Sequence, residues 1–308
     1  MIVNLHARLA RRDPDVVTRL RALAPDRVFA TRDLAEVDAA LAALRRCGTD
    51  LLVVVGGDGT VTGTLTTLLR SWPEDALPSV ALCCGGTINT IAKSLGAQGT
   101  PEHLVRHLAD GARERGDERA VVRVRAGADA PRFGMIFVAG AAARFLERYY
   151  AAPRQGSVGA AWVVAEVVGS GATRGALARR MFEPLRAEVV VDGRPLRARE
   201  HTLLGASGVR HVGLGIAPFA YAGRDPERVH FLTSSAGPLR IAAELPALRL
   251  GQRLPGSCLH HFAARDVQVR AEEPLLWSLD AEIFAPAASL EISAGPRLRF
   301  VTLEAGSG

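Results

Sequence analysis

The stretch Leu51–Leu69 reads LLVVVGGDGTVTGTLTTLL, and the rest of the chain is interpreted from it. Its first part, Leu51–Val55, is apolar and rich in β-branched residues, which is typical of a parallel strand buried on both faces. The segment Gly56–Thr60 (GGDGT) ends this run, and leucines then recur at helical spacing. A strand, a glycine turn and a helix in this order favour a phosphate site, because glycines admit a ligand close to the backbone and a helix N-terminus favours an anion. The alternative is a plain tight turn between a strand and a helix.

A second stretch repeats this order further along the chain. Val80–Cys84 (VALCC) predicts another buried strand, Gly85–Asn89 (GGTIN) predicts a turn, and Thr90–Leu95 predicts a helix. If the two strands are parallel neighbours, their glycine turns lie side by side. The sequence therefore predicts two backbone loops that could hold phosphates together.

These motifs resemble the diacylglycerol-kinase-like catalytic domain, which bacterial lipid kinases, sphingosine kinases and ceramide kinases share. The second motif is similar to the family pattern G-T-x-N-x-x-A at Gly86, Thr87, Asn89 and Ala92. Two later segments add to the resemblance. Residues 213–218 (GLGIAP) are similar to GGG-x-x-I-A-P, and residues 278–282 (SLDAE) are similar to a D-G-E motif with alanine in place of glycine.

The order of predicted elements indicates two domains. Strands and helices alternate over the first 110 or so residues, which predicts a three-layer α/β domain. From Arg119 onward short strands recur between Gly, Pro and Asp-Gly turns, which predicts a mainly β second domain. We expect an α/β nucleotide-binding domain at 1–120, similar to that of NAD kinases. A β-rich lipid-substrate domain, antiparallel and sandwich-like, is expected at 121–308. The resemblance implies that the last strand returns to the first domain.

Composition limits the classes of partner. The 308 residues are 48% hydrophobic and carry a formal net charge of +6, with Lys93 as the single lysine. The arginines are scattered and aromatic residues make up 5%, so no stacking platform for nucleic acid is visible. A mild positive charge suits contact with an anionic lipid surface. The four cysteines have no metal-binding spacing and predict reduced thiols.

No signal-peptide pattern and no apolar run of membrane-spanning length is seen in the sequence. We therefore expect a cytoplasmic protein that visits the inner face of the membrane peripherally. A lipid is the expected substrate, no nucleic acid is expected as a partner, and a homodimer is kept open.

The resemblance implies ATP and Mg²⁺ as cofactors, held by the glycine turns and by residues near them. Asp58 is the candidate partner for the nucleotide or its Mg²⁺, and the alternative is that Asp58 caps the helix that follows it. Thr31 is a candidate contact, and the alternative is a helix N-cap. Asn4 matches the first residue of the family's Asn-Pro, with Leu5 in place of proline. The candidate nucleotide-binding residues are Asn4, Thr31, Gly56, Gly57, Asp58, Gly59, Thr60, Thr62, Gly86, Thr87 and Asn89.

The D-A-E motif is the candidate source of the catalytic base. Asp280 and Glu282 lie two residues apart, so on a strand they would share a face. One would take the proton of the lipid hydroxyl, and the choice between them is open. The alternative is two solvent-facing acids on an edge strand. A left-handed backbone conformation is accessible to glycine but disfavoured for Ala281, so the turn is expected to differ from that of the family.

A structural Mg²⁺ in the second domain is also implied by the resemblance, with Asp225 as its ligand. Pro226 replaces a glycine there and Arg224 adds positive charge. Residues 133–144 (FGMIFVAGAAAR) correspond to the family segment that lines the lipid pocket. The apolar segment Ser157–Val168, which contains Trp162, predicts either the floor of an acyl-chain channel or ordinary core.

The combined expectation is an ATP- and Mg²⁺-dependent lipid kinase that acts on a hydroxyl of the diacylglycerol, sphingoid-base or ceramide class. Two alternatives stay open. One is a phosphotransferase similar to NAD kinase that acts on a soluble acceptor. The other is a protein that binds a nucleotide or a lipid without catalysis.

Overall fold

The computed structural model describes residues 1–87, 89–110, 114–153, 156–252 and 254–303. Ile88 of the second glycine motif therefore lies outside the described residues. The chain divides into two compact units. The first is Met1–Arg119 with Pro296–Gly308, and the second is Ala120–Gly295.

The first unit is an α/β structure built on a parallel sheet. Its strands are β1 (Ile2–Asn4), β2 (Phe29–Thr31), β3 (Leu51–Gly56) and β4 (Ser79–Cys84). Its helices are α1 (Arg8–Arg12), α2 (Val16–Leu23), α3 (Leu34–Arg46), α4 (Asp58–Ser71), α5 (Thr90–Ser94) and α6 (Pro101–Ala109). The strands pair in the order β4–β3–β1–β2. The end of the last strand of the chain joins this sheet, since Phe300 pairs in parallel with Val80.

Helices pack on both faces of this sheet. On one face, Leu20 of α2 and Leu104 of α6 are buried in one cluster with Val55 of β3. Side chains alternate along a strand, so Val54 points to the opposite face of the sheet. Helix α4 packs against β3 and against α3, and these two helices cover that face. The predicted three-layer α/β arrangement is therefore observed. The arginine-rich segment after β1 forms the short helix α1.

The second unit is rich in antiparallel sheet. Its strands are β5 (Glu114–Ala126), β6 (Arg132–Gly134), β7 (Ile136–Gly140), β8 (Leu185–Val191), β9 (Arg194–Pro195), β10 (Glu200–His201), β11 (Leu203–Ser207), β12 (Val229–Ser234), β13 (His260–Ala264), β14 (Asp266–Leu279) and β15 (Glu282–Leu303). Its helices are α7 (Ala141–Tyr150), α8 (Ser157–Ala172), α9 (Ala176–Met181) and α10 (Pro238–Arg249). Strands β5 and β15 contribute residues to both units.

The main sheet of this unit follows the order β13–β12–β11–β7–β14–β15, with β8 also paired to β14. Its core contains Phe137, Phe231 and Trp277, which are almost fully buried. The predicted fold class, an α/β first region and a sheet-rich second region, is confirmed.

Two of these strand regions are irregular. Residues 132–140 form two strands, β6 and β7, that are separated at Met135. The backbone N–H of Met135 donates to a carboxylate oxygen of Asp280, which draws that residue out of the ladder. Strand β14 is long and has register irregularities between Arg270 and Trp277.

The cysteines are free thiols. Cys47 is exposed, and burial raises the pKa of the Cys83 thiol to about 12. None of the helices in the described part of the chain combines the length and apolarity that a bilayer crossing requires.

Candidate active site

The two glycine turns of the first unit lie against each other, as the sequence predicted. Strands β3 and β4 are parallel neighbours, and their register continues to the pair Gly56 and Cys84. The backbone N–H of Gly85 donates to the carbonyl oxygen of Gly56 at 2.8 Å. The carbonyl of Gly85 in turn accepts the N–H of Leu9 in α1, at 2.9 Å. Both turns and the start of α1 therefore form one backbone assembly at the carboxyl edge of the sheet.

Three of the glycines are required by this packing, and a methyl group at the fourth, Gly57, would lie in a tight contact of 3.1 Å with the Cα of Gly86. A methyl group at Gly86 would lie 2.5 Å from the Cα of Gly57, and one at Gly85 would lie 2.9 Å from the Cα of Gly56. A methyl group at Gly56 would also lie 2.5 Å from the side chain of Thr60. These distances are shorter than side-chain packing permits. The alternative interpretation, a tight turn, therefore accounts for part of the glycine signal.

At Gly59, by contrast, packing does not require glycine. A methyl group at this position meets no described atom within 4 Å, its φ is not in the left-handed region, and the residue is exposed. Gly59 is the second residue of α4, where alanine is preferred to glycine by about 0.5–1 kcal/mol. Gly59 is exposed in the first turn of α4, and an anion can approach an exposed helix N-terminus.

Asp58 connects the two motifs. Its Oδ2 accepts the N–H of Thr90 at 3.1 Å, and its Oδ1 accepts the N–H of Ile91 at 3.0 Å. Asp58 therefore caps α5, whereas the sequence-based alternative had it capping its own helix. Burial raises the pKa of Asp58 above its ordinary value, and the two N–H groups and the positive charge of Lys93 act in the opposite direction.

Threonine and asparagine side chains hold the first turn from both sides. The Nδ2 of Asn4 donates to the Oγ1 of Thr60 at 2.7 Å, and its Oδ1 accepts the N–H of His6 at 2.8 Å. The Oγ1 of Thr62 donates to the carbonyl of Asp58 at 3.0 Å, and the residue is buried. Asn4 and Thr60 thus lie together as the resemblance implied, whereas Thr62 is turned into its own helix.

The second turn is closed by its own asparagine. The Oδ1 of Asn89 accepts the N–H of Gly86 at 2.6 Å, and its Nδ2 donates to the Gly86 carbonyl at 3.1 Å. Asn89 has φ of 56°, and asparagine tolerates this left-handed backbone better than most residues. Thr87 at the tip of the turn is exposed.

Thr31 lies at the end of β2, beside Asn4 in the parallel register. Its carbonyl accepts the N–H of Leu5 at 2.9 Å, and its side chain is buried. The alternative that Thr31 is a helix N-cap is wrong, because Asp33 takes that position and accepts the N–H of Glu36. Thr31 also lines an open groove of about 730 Å³ between β2 and α3.

In the second unit, Asp280 lies in a hairpin turn between β14 and β15. Leu279 pairs with Glu282, and the two residues between them, Asp280 and Ala281, have φ of 51° and 69°. Positive φ at both central residues is the type I′ hairpin geometry. The expectation that Asp280 and Glu282 share a strand face is therefore wrong, because Asp280 is not on a strand.

The carboxylate of Asp280 is directed into the protein. Only 4% of the residue is exposed. Its oxygens accept the N–H groups of Met135 and Ile136 at 2.7–3.0 Å. A methyl group at Gly134 would lie 2.3 Å from Oδ2, so glycine is needed there. These contacts join β6, β7 and the hairpin turn into one arrangement.

Glu282 differs from Asp280 in its surroundings, since it is exposed at the first position of β15. Between them, the carbonyl of Ala281 accepts the hydroxyl of Tyr150 at 2.8 Å. Ala281 adopts the left-handed backbone that alanine disfavours. The hydroxyl of Tyr150 and the buried Asp280 hold the turn in place.

Asp225 lies in a cluster of ion pairs. Its Oδ2 is 3.4 Å from the Nε of Arg228, and Arg228 also contacts Asp192 at 3.0 Å. Glu227 pairs with Arg265. Across the described residues, no group of three His, Cys, Asp or Glu side chains is arranged to hold a metal ion. The guanidinium groups here supply the positive charge that a cation would supply, so these residues do not fit a metal site.

Several contributors to these sites were not predicted. Gly134 and Tyr150 carry no local signal, because their contacts are with residues more than a hundred positions away. Lys93 acts on the charge of Asp58. Lys93 lies in the short helix that follows the second glycine motif. Because the two glycine turns were predicted to lie side by side, the sequence could have indicated that Lys93 is near Asp58 of the first motif.

Comparison with known proteins agrees with this geometry. Residues 2–121 match the family model described as the diacylglycerol kinase catalytic domain, which is less than half of the chain. No curated protein sequence matches the chain. The similar solved structures include three proteins of Bacillus anthracis strain Sterne, one described as a diacylglycerol kinase and two as candidate diacylglycerol kinases.

The three structures share the fold of the whole chain at low sequence identity. Their identities are 17%, 18% and 17%, with TM-scores of 0.63, 0.70 and 0.68. The alignments cover 99%, 99% and 98% of this chain and 96%, 95% and 95% of the other chains. The fold and the family match together support a lipid kinase family. The resemblance that the two glycine motifs indicated is confirmed over residues 2–121, which match the model of the diacylglycerol kinase catalytic domain.

Proposed function

We propose that this protein is an ATP- and Mg²⁺-dependent lipid kinase that transfers the γ-phosphoryl group to a lipid hydroxyl. The single observation that carries the proposal is the pair of glycine turns with Gly59 left open beside them. Packing requires Gly56, Gly85 and Gly86 and makes a tight contact at Gly57, whereas nothing in the described structure requires Gly59, so we attribute that glycine to a ligand. The match of residues 2–121 to a kinase catalytic domain supports a nucleotide as that ligand.

The nucleotide phosphates bind at the first turn of α4 in this proposal. N–H groups at the start of a helix lack intrahelical partners and favour an anion. Asn4 and Thr60 fix the turn, and Asn89 fixes the neighbouring turn. Thr87 is exposed at the tip and is available for a direct contact. Thr62 and Thr31 support the site from buried positions.

Asp58 fits a metal-bound nucleotide in an indirect role. Each carboxylate oxygen accepts one backbone N–H and can accept a further bond. Mg²⁺ commonly keeps several of its waters and binds through one or two carboxylates together with substrate phosphates. Bound there, the ion would neutralise phosphate charge. Asp58 would hold its water, while Lys93 lies close enough to influence the same carboxylate.

The two acids of the D-A-E motif have different roles in the proposal. Asp280 is buried, and its oxygens are used by the backbone of Met135 and Ile136, so it positions the turn. Glu282 is exposed at the start of β15. We assign Glu282 as the base that accepts the proton of the lipid hydroxyl. Asp225 is given no metal, because Arg228 already pairs with it.

The expected setting is the cytoplasm, with peripheral contact at the inner face of the membrane. A lipid kinase must reach a substrate that resides in a bilayer. The formal charge of +6 supports contact with anionic lipid.

The test is transfer of label from γ-labelled ATP with Mg²⁺ to a panel of acceptors in mixed micelles. The panel contains diacylglycerol, monoacylglycerol, sphingosine and ceramide, with NAD alongside in solution. A labelled lipid supports the proposal and names the substrate. Labelled NAD would instead favour the soluble-acceptor alternative. ATP binding measured by calorimetry, without any labelled product, would favour a binding protein.

A further inference from the structure

Helix α8 of the second unit is apolar on both of its faces. Its inner face buries Gly159, Ala160, Val163 and Val167. Its outer face has no charged residue and repeats at helical spacing. The exposed residues of this outer face are Val158, Ala161, Trp162, Ala165, Gly169 and Ala172. A helix that is apolar on both its inner and its outer face is normally covered on both, yet Val158 is 69% exposed and Trp162 is 49% exposed.

The exposed residues of this outer face form one patch, which we call the α8 surface. It is larger than a single exposed apolar residue, and a continuous patch of this kind marks an interaction site.

The segment that follows α8 is positively charged, and the acid within α8 is paired. The one acid on α8, Glu166, is paired with Arg148 at 2.9 Å. The guanidinium of Arg148 also lies 5.3 Å from the ring centre of Trp162. Arg174, Arg179 and Arg180 follow α8 and are exposed, and no acid occurs between Thr173 and Met181. The helix that carries Arg179 and Arg180 packs against α8.

We propose that the α8 surface docks onto an anionic lipid bilayer. Apolar side chains with a tryptophan at the boundary, flanked by arginines, match the composition of helices that lie in a membrane interface. Charge complementarity selects this occupant, because the surrounding arginines would be drawn to anionic headgroups. A second copy of the chain is disfavoured as the occupant, because a dimer through this surface would bring the arginines of the two copies together and they would repel each other. The choice of occupant rests on the proposed lipid kinase function.

Trp162 makes the docking directly observable. The chain has three tryptophans, and the other two, Trp72 and Trp277, are buried. A change in tryptophan emission on adding vesicles therefore reports on Trp162. The experiment uses the full chain with vesicles of phosphatidylcholine alone or mixed equally with phosphatidylglycerol, with and without brominated acyl chains.

The expected result is a blue shift and bromine quenching with the phosphatidylglycerol vesicles, both weakened by salt. Ala165→Asp places a negative charge in the middle of the surface and should weaken vesicle binding about tenfold. Ala35→Asp, at an exposed position of α3 in the first unit, is the matched control and should bind vesicles like wild type. Arg179→Glu with Arg180→Glu should weaken binding without touching the apolar patch.

Two outcomes would overturn the proposal. One is unchanged Trp162 emission with both kinds of vesicle, whether or not the protein sediments with them. The other is a concentration-dependent dimer in ultracentrifugation that Ala165→Asp dissociates, with vesicle binding absent. The readout requires no nucleotide. Phosphorylation of micellar lipid without vesicle binding would disprove only the docking proposal. Vesicle binding without phosphoryl transfer would disprove only the proposed kinase function.

Discussion

At the scale of the residue, the glycines of the two turns separate into two kinds. Gly86 belongs to the first kind, because a methyl group there would meet the Cα of Gly57 at 2.5 Å. Gly59 belongs to the second, with open space around it. A sequence motif does not distinguish them, because both kinds appear as the same letter.

We expect Gly86→Ala to destabilise the first unit by about 1–3 kcal/mol, which is the usual cost of overpacking a close contact. Two rigid backbones meet at this point, so neither can move away easily. Thermal unfolding followed by circular dichroism measures the effect. Gly59→Ala is the matched control and should unfold at the wild-type temperature or above it. Equal stabilities of the two variants would contradict the packing argument.

Ala281 is a residue at which the backbone is strained. Its φ of 69° lies in the left-handed region, which costs a residue with a Cβ about 1–2 kcal/mol. Ala281→Gly should therefore raise the unfolding temperature of the second unit by about 2–4 °C. Ala288→Gly on the exposed part of β15 is the control, and it should lower stability. A loss of stability in Ala281→Gly would show that the turn is unstrained.

Asp280 and Glu282 should behave differently when their charge is removed. Asp280→Asn replaces an acceptor oxygen with a donor group beside Met135 and Ile136, so the variant should unfold at a lower temperature. Glu282→Gln leaves an exposed side chain of similar shape and should retain the wild-type unfolding temperature. Its kcat for lipid phosphorylation should fall about a hundredfold or more, since a general base is lost. Full activity of Glu282→Gln would remove the assignment of the base.

At the scale of the element, the ion pairs around Asp225 replace the cation that the sequence resemblance implied. Arg228 contacts Asp225 and Asp192, and it also donates to the carbonyl of Ala263 at 2.9 Å. This arrangement ties the loop before β12 to the hairpin after β8 and to β13. No divalent ion is needed for the charge balance of these side chains.

We expect EDTA to leave the unfolding temperature unchanged and Arg228→Gln to lower it, because two carboxylates would then lose their partner. Arg186→Gln removes an exposed pair with Glu200 and should have little effect. Differential scanning fluorimetry with and without Mg²⁺ compares all three proteins. Stabilisation of wild type by Mg²⁺ in the absence of nucleotide would contradict this account and restore a metal at Asp225.

Elements were predicted from sequence to different degrees. The strands β3 and β4 were each predicted within one residue of their observed limits. Their apolar pattern is local and strong. The helix α10 was missed, since it begins with Pro238 and contains Pro246. The limits of β14 and β15 depend on pairing between distant segments, which no local pattern contains.

At the scale of the whole molecule, the order of predicted elements was enough to predict the fold class. The sequence predicted the candidate sites only in part. The sequence located the glycine turns because their motif is contiguous. It did not show that Asp58 caps α5, that Asp280 faces Met135, or that the outer face of α8 is open to solvent. Each of these depends on which distant backbone lies opposite a side chain, and local sequence does not specify that.

The central claim is that ATP bound at the open first turn of α4 supplies a phosphoryl group to a lipid. The most direct measurement is the rate of label transfer from γ-labelled ATP to the lipid panel by wild type and by Gly59→Ala, with the unfolding temperature of each. We predict a labelled lipid for wild type. For Gly59→Ala we predict a rate lower by about tenfold or more, with no loss of stability. Equal rates for the two proteins, or no labelled lipid from wild type, would contradict the claim.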